Sequence, residues 1–289
     1  MRKRLPDSEF ELPVGYFIRI TIIATAADHA YARSLFQLLL SAERHARHHA
    51  VVVFDLGLSE RDRRRLARRF PSVRLERFDF GAHPPHVARL ELCAWKPIVI
   101  AGTIDRERAS LLWLDAATLV RAPPDDAFAG IARNGVLTLV GQSAVARWCH
   151  PRTLDRMHVP EVDRRKRCRV GGVIGFDGSN ALIRELVLEW RDAALNPEIL
   201  DPPGAHRGNH RWDQALLTNL LYAGEREHGL VLQDDEVDIS SIHPVRWVST
   251  RNVVPTWVPL AADPLVRAFY ATFKQLDRVL LRVRYLVSR

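Results

Sequence analysis

Cysteine and lysine are scarce in this 289-residue sequence, and long apolar runs are missing. The three cysteines, Cys93, Cys149 and Cys168, form no Cys-x-x-Cys pair. That excludes a disulfide framework and a zinc ribbon, and it fits a reducing compartment. Lysine occurs only at Lys3, Lys96, Lys166 and Lys274, so arginine carries almost all the positive charge. No apolar segment is long enough to span a membrane. The opening MRKRLPDSEFELPVG is basic but lacks the apolar stretch of a secretory leader. These absences predict a cytoplasmic protein, at most peripheral to the inner face of a membrane.

What is there has the make-up of a soluble globular protein, 47% hydrophobic and 26% charged. The length suffices for one large α/β domain or two small ones. The net charge is +8. An arginine excess suits phosphate-bearing ligands, because the planar guanidinium grips phosphate at two points. A compositional bias toward arginine explains the excess equally well. The densest runs, RDRRRLARR and DRRKRCR, have no aromatic residues among their charges and no nucleic-acid motif beside them. They read as solvated faces, and no nucleic-acid partner is expected.

The first half of the chain alternates strand and helix signals. YFIRITIIAT (16–25) is a β-rich apolar run, and DHAYARSLFQLLLSAERHA (28–46) has helical spacing at Tyr31, Leu35, Leu38, Leu39 and Ala42. AVVVFDLG (50–57) predicts a second strand, and Ser59 with Asp62 three residues on is a capping-box pattern. SVRLERFDF (72–80) predicts a third strand, HVARLELCAWKPIVIAGTI (86–104) a helix, and LLWLD (111–115) a fourth strand. This βαβαβαβ order predicts a parallel sheet with helices on both faces. Ligands of such sheets bind beyond the carboxyl ends of the strands, where Asp115 falls.

The second half is less regular. GVLTLV (135–140) and RVGGVIGFD (169–177) predict strands, and NALIRELVLEWRDAAL (180–195) and HRWDQALLTNLLYAGERE (210–227) predict helices. The loop NPEILDPPGAHRGN lies between those helices. The cluster HARHH (45–49) matches no metal-site spacing and is expected at a helix end. No internal repeat occurs, and nothing in the pattern sets an oligomeric state.

Four segments, in order, resemble those of the GT-A-type, nucleotide-sugar-dependent glycosyltransferases, with a likeness to family 8. ITIIATAADHAYARSLFQLLLSA resembles their opening strand and helix, and LLWLDAATLVRAP their WLDxDxxV segment. VGGVIGFDGSN resembles their NxGVxxF strand, and HRWDQALLTNLL their Asp-Gln helix. VVVFDLGLS, RFDFGAHPPHV, CAWKPIVI and PPGAHRGNHRWDQALL resemble a poorly characterised branch that carries YDLGLS, AWKP and HRxDQSAL. The match runs over roughly residues 16–260, between an N-terminal extension (1–15) and a C-terminal segment (263–289). Each motif is weak alone; their order and spacing together are fairly specific.

The resemblance implies a GT-A Rossmann-like α/β fold, with a mainly parallel central sheet and helices on both faces. It implies a nucleotide-sugar donor, a UDP-sugar in first place, and a glycan, lipid-linked or protein acceptor. Thr25, Ala26 and Asp28 fall where the class binds base and ribose; Asp28 reads equally well as an N-cap. Asp115 faces the donor diphosphate, directly or through a cation, and Asp213 and Gln214 lie by the transferred sugar and acceptor. Lys96 pairs with phosphate or with Asp115, or else snorkels at the surface. Gly171 and Gly172 let backbone approach a ligand, with a β-bulge as the structural alternative. His210 and Arg211 approach phosphate or acceptor, or are exposed loop residues.

In the wider class a DxD pair holds Mn2+ or Mg2+ against the donor diphosphate, and His243 falls where a third ligand is found. Here Ala117 replaces the second carboxylate, so a requirement for metal stays open. No nucleophile or base stands out, and the stereochemical course stays open too. A catalytically silent relative that binds nucleotide sugar or glycan is the first alternative, supported by Ala117. A basic nucleic-acid-binding protein is the second, supported by charge alone.

In 263–289, Leu265, Phe269, Phe273, Leu276, Leu280, Val283 and Val287 recur at helical spacing. Arginines and Lys274 surround that stripe. It predicts either a last helix packed on the domain or an interfacial helix at an anionic membrane.

Overall fold

A computed structural model of the chain describes residues 20–233, 247–250 and 253–254, to which everything below refers. The N-terminal extension, His243 and the segment 263–289, with the helix and membrane contact expected of it, lie outside these residues. The first half contains β1 (Thr21–Ala27), α1 (Ala32–His45), β2 (Ala50–Asp55), α2 (Glu60–Arg69), β3 (Arg74–Arg77), α3 (Trp95–Glu107) and β4 (Ser110–Leu114). It is followed by β5 (Leu119–Val120), α4 (Asp125–Asn134), β6 (Val136–Ala144), and the short helices α5 (Val145–Trp148), α6 (Pro151–Arg156) and α7 (Glu161–Arg164). Then come β7 (Arg167–Asp177), α8 (Ala181–Leu195), α9 (Pro197–Leu200), α10 (Trp212–His228) and β8 (Val248–Ser249).

The main sheet runs in the order β3-β2-β1-β4-β7-β6. The first four of these are mutually parallel, and β7 runs antiparallel to both β4 and β6. Side-chain alternation sends the two faces of the sheet into separate cores. Ile22, Ala24, Leu111 and Trp113 face α3, α8 and α10, against Ile100, Trp190 and Leu217. Ile23, Leu112 and Leu114 face α1 and α4, against Leu38, Phe128 and Ile131. The expected α/β layering, with helices on both faces of a mainly parallel sheet, is therefore found.

Local signals explain several boundaries. The Ser59 hydroxyl accepts from the Asp62 amide at 3.1 Å, as a capping-box start requires, and α2 turns Arg61, Arg64, Arg68 and Arg69 to solvent around buried Leu66. His45 ends α1, and His49 stacks on Phe128 with ring centroids 4.4 Å apart. Among the described residues, no helix is long and apolar enough to cross a membrane.

Three expectations need correction. The helix expected over 86–104 is two 3-10 turns, Pro85–Ala88 and Leu90–Leu92, followed by α3. Cys93 separates them in a left-handed conformation (φ 54°) that no continuous helix allows. The run DRRKRCR is not a solvated face throughout, because it feeds into β7 and buries Cys168 and Arg169. Of the first strand expected over 16–25, residues 16–19 lie outside the described residues, and the strand Thr21–Ala27 runs two residues further at its carboxyl end.

Strand order reverses between β1 and β4, since β2 leaves on one side of β1 and β4 lies on the other. The crevice at the carboxyl ends of β1 and β4 is thus the place where an open α/β sheet accepts a ligand.

Candidate active site

Asp115 is the first residue beyond β4. Its amide donates to the Gly172 carbonyl at 2.9 Å, and its carbonyl accepts from the Thr118 amide at 2.9 Å, closing a turn over Ala116 and Ala117. Residues two apart on a strand share a face. The Trp113 indole therefore reaches Asp115 and donates to Oδ1 at 2.8 Å.

The same oxygen lies 3.0 Å from the Nζ of Lys96, on the first turn of α3. On the other side of that ammonium, 3.3 Å away, is Oδ2 of Asp213 at the start of α10. Lys96 also donates to the Gly171 carbonyl at 3.2 Å. A side chain from each of three elements thus meets the backbone of β7.

The three charged groups differ in exposure. The side chains of Lys96 and Asp213 are 5% and 8% exposed, while that of Asp115 is 47% exposed. A buried lysine would by desolvation lose its proton more easily, but the Asp115 and Asp213 carboxylates outweigh that and hold it charged. Burial pushes the Asp213 carboxyl up to about 6, against the pull of Lys96 and with a further push from the Asp115 charge. Asp213 Oδ2 is buried and accepts no hydrogen bond of good geometry, despite the nearby ammonium. The rings of Trp95 and Trp113 flank the ammonium, with centroids 5.9 and 5.7 Å from it.

The glycines are there for space. A Cβ on Gly172 would stand 2.8 Å from Asp115 Oδ2, and one on Gly171 3.3 Å from the Cβ of Gln214. The start of α10 therefore rests directly on β7. Gln214 is half-buried, with its amide nitrogen 3.9 Å from the Cys168 sulfur.

The sequence-expected residues divide on this geometry. Asp115, Lys96, Gly171, Gly172, Asp213 and Gln214 come together. Thr25 does not: alternation sends its side chain to the α1 face of β1, where it is fully buried and its Oγ1 has no partner. Ala26 is on the face shared with Trp113. Asp28 is a cap, since its Oδ1 accepts from the Tyr31 amide at 3.0 Å.

His210 must be corrected. Its ring is completely buried, with Nδ1 accepting from the His150 amide at 3.0 Å and Nε2 2.8 Å from the Leu200 carbonyl. Both nitrogens are used, so this ring ties the 201–211 loop and faces neither phosphate nor acceptor. Arg211 stacks on Trp148, its guanidinium carbon 4.0 Å from the ring centroid.

Sequence reasoning missed Trp113, although the period of two between Trp113 and Asp115 in LLWLD was there to be used. Tyr31, expected on the apolar face of the first helix, is instead the exposed residue that caps it.

A hard divalent cation wants several oxygen ligands, and the described residues of the site do not fit one. Half-buried Ala117 offers a methyl group where a second carboxylate would stand. Asp115 Oδ1 is already engaged by an indole and an ammonium, and the ammonium itself stands between the two carboxylates. Among the described residues, no group of three or more His, Cys, Asp or Glu side chains is placed to hold a metal ion.

Comparison with known proteins gives three findings. A family model described as "Protein of unknown function (DUF1647)" matches residues 19–101. No curated protein matches the chain. Solved structures of similar fold include the apo form of the bifunctional glycosyltransferase WbbM (TM-score 0.48, 16% identity, 72% of this chain and 38% of that one). They also include galactosyltransferase LgtC with donor and acceptor sugar analogues (TM-score 0.47, 18% identity, 69% and 70%). A third is apo mouse xyloside xylosyltransferase 1 (TM-score 0.45, 12% identity, 75% and 84%). This chain spans little more than a third of WbbM. At such distances chemistry has to be argued from the site itself.

Proposed function

We propose that the protein transfers a sugar from a nucleotide-sugar donor, a UDP-sugar in first place, to a glycan-type, lipid-linked or protein acceptor. The observation that carries this is the Asp115–Lys96–Asp213 cluster at the carboxyl end of β4, on the motifs that resemble the glycosyltransferases. Substitution at an anomeric carbon expels a diphosphate, and fixed positive charge beside the departing oxygens lowers the barrier. Lys96 supplies such a charge. Asp213 and Gln214, at the start of α10, are suited to holding the hydroxyls of the transferred sugar. Tyr31, 45% exposed beyond β1, offers an aromatic face for the base.

The test is release of nucleoside diphosphate from a panel of sugar nucleotides, with thermal shift on the same panel and an RNA control. Release from at least one donor supports the proposal. A thermal shift without release supports instead a silent relative that binds donor, the reading Ala117 favours. A shift with RNA alone overturns both.

A further inference from the structure

The cluster has an unusual cation at its centre. Two carboxylates facing one crevice ordinarily call for a metal ion, but here the space between Asp115 Oδ1 and Asp213 Oδ2 holds the Lys96 ammonium, 3.0 and 3.3 Å from them. The ammonium is fixed from a third side by the Gly171 carbonyl at 3.2 Å. A divalent ion at Asp115 would meet this charge at short range, and Ala117 gives it no second carboxylate in return. Resting on the nucleotide-sugar reading above, we infer that the donor diphosphate is held by protein cations, Lys96 in the cluster and Arg207 on the loop that leads into α10, with no divalent metal.

Charge counting shows why a second cation is needed. With both carboxylates ionised, the Asp115–Lys96–Asp213 cluster carries one net negative charge, and a diphosphate brings more. Arg207 sits on the 201–211 loop that leads into α10, exposed and paired with no carboxylate among the described residues. It stands six positions before Asp213 on the segment that delivers Asp213 and Gln214 to the site. A guanidinium there grips phosphate at two points while Lys96 acts as a point charge. His210 ties the end of that loop to the body through the His150 amide and the Leu200 carbonyl.

The experiment uses the full chain, stripped of metal by chelation, in two measurements. In the first, MnCl2 is titrated without nucleotide and free Mn2+ is followed by electron paramagnetic resonance. The wild type is expected to leave the free-ion signal undiminished. The double variant Lys96→Met/Ala117→Asp, where it folds, removes the resident ammonium and restores the second carboxylate, and is expected to take up Mn2+. Ala117→Asp alone, at a half-buried position in the turn closed by Asp115 and Thr118, serves where the double variant does not fold; it is expected to take up more Mn2+ than the wild type. In the second measurement, UDP affinity is determined by calorimetry in EDTA and again in MnCl2. The wild-type affinity is expected to change by less than about twofold between the two, and Arg207→Ala to weaken it about tenfold at unchanged melting temperature.

Stoichiometric Mn2+ uptake by the wild type, or a tenfold or greater gain in UDP affinity with Mn2+, overturns the inference. Absence of UDP binding in both media overturns the donor reading instead, while the Mn2+ titration still decides whether the site takes a metal.

Discussion

Two strands of this sheet end alike, and only one of them ends in a candidate site. β2 finishes VVVFD and β4 is followed by Asp115 in LLWLD, each an apolar run delivering one carboxylate to a turn. Asp55 is 2% exposed, and every part of its carboxylate is answered by the protein. Oδ1 accepts from the amides of Gly57 and Leu58 at 2.9 and 2.6 Å, and Oδ2 takes the Arg63 guanidinium at 2.9 Å. Asp115 is nearly half exposed, tied through one oxygen to Lys96 and Trp113, with the other oxygen crowded against Gly172. The acid at the strand end is common to both. What separates them is a buried cation left between two carboxylates, one of which has an orphaned oxygen.

The largest effect is expected from taking out that cation. Lys96→Met leaves the buried Asp213 carboxylate without its cation, and breaking a buried pair costs about 3–5 kcal/mol. Chemical denaturation should show that loss, whereas Arg63→Met at the closed turn should show a distinctly smaller one. Equal losses would mean that the two turns are the same kind of structure.

Next is the pH window of His210, a polar group as closed as Asp55. Burial lowers its pKa from 6.5 to about 4, so protonation favours the unfolded chain. The stability it contributes is complete above pH 6.5 and is lost as pH falls toward 4, by up to about 3 kcal/mol. Melting curves across that window should lose this slope in His210→Gln. An unchanged slope would assign the window to another group.

Asp213 should behave in the opposite sense. Its folded carboxyl is raised from 3.8 to about 6, so the folded state is favoured at low pH and loses stability as pH rises through that range. Asp213→Asn should remove that loss, so that the variant gains stability over the wild type at pH 8 while donor turnover falls. A variant destabilised at pH 8 would show that the Lys96 pair outweighs the burial.

The smallest of the four is Asp55→Ala. Loss of a buried cap of this kind costs about 1–2 kcal/mol, seen as a lower melting temperature, with donor turnover retained in the folded fraction. A collapse of turnover at unchanged stability would erase the distinction between the turns.

The parallel half of the sheet was legible in the sequence because each strand and helix there is a local pattern. Ser59 and Asp62 announced α2, and LLWLD announced β4. What was not legible is what depends on contacts distant along the chain. Lys96 and Asp213 are 117 positions apart in the numbering, and nothing local in AWKP or HRWDQ says that one ammonium reaches the other's carboxylate. The same blindness misassigned His210, whose neighbours Arg211 and Asp213 made it look available to ligand. Its partners, the His150 amide and the Leu200 carbonyl, are contributed by the segment before α6 and by α9 respectively. Cys93 broke a helix that composition had made continuous, by adopting a conformation unfavourable for any residue with a Cβ.

The most direct test of the account is nucleoside diphosphate release from the sugar-nucleotide panel by wild type, Asp55→Ala and Asp115→Ala, each shown to be folded. The account predicts release by the first two, and a drop of about a hundredfold or more in Asp115→Ala, as for loss of a group that acts on the transition state. Release by a well-folded Asp115→Ala protein at the wild-type rate would contradict it.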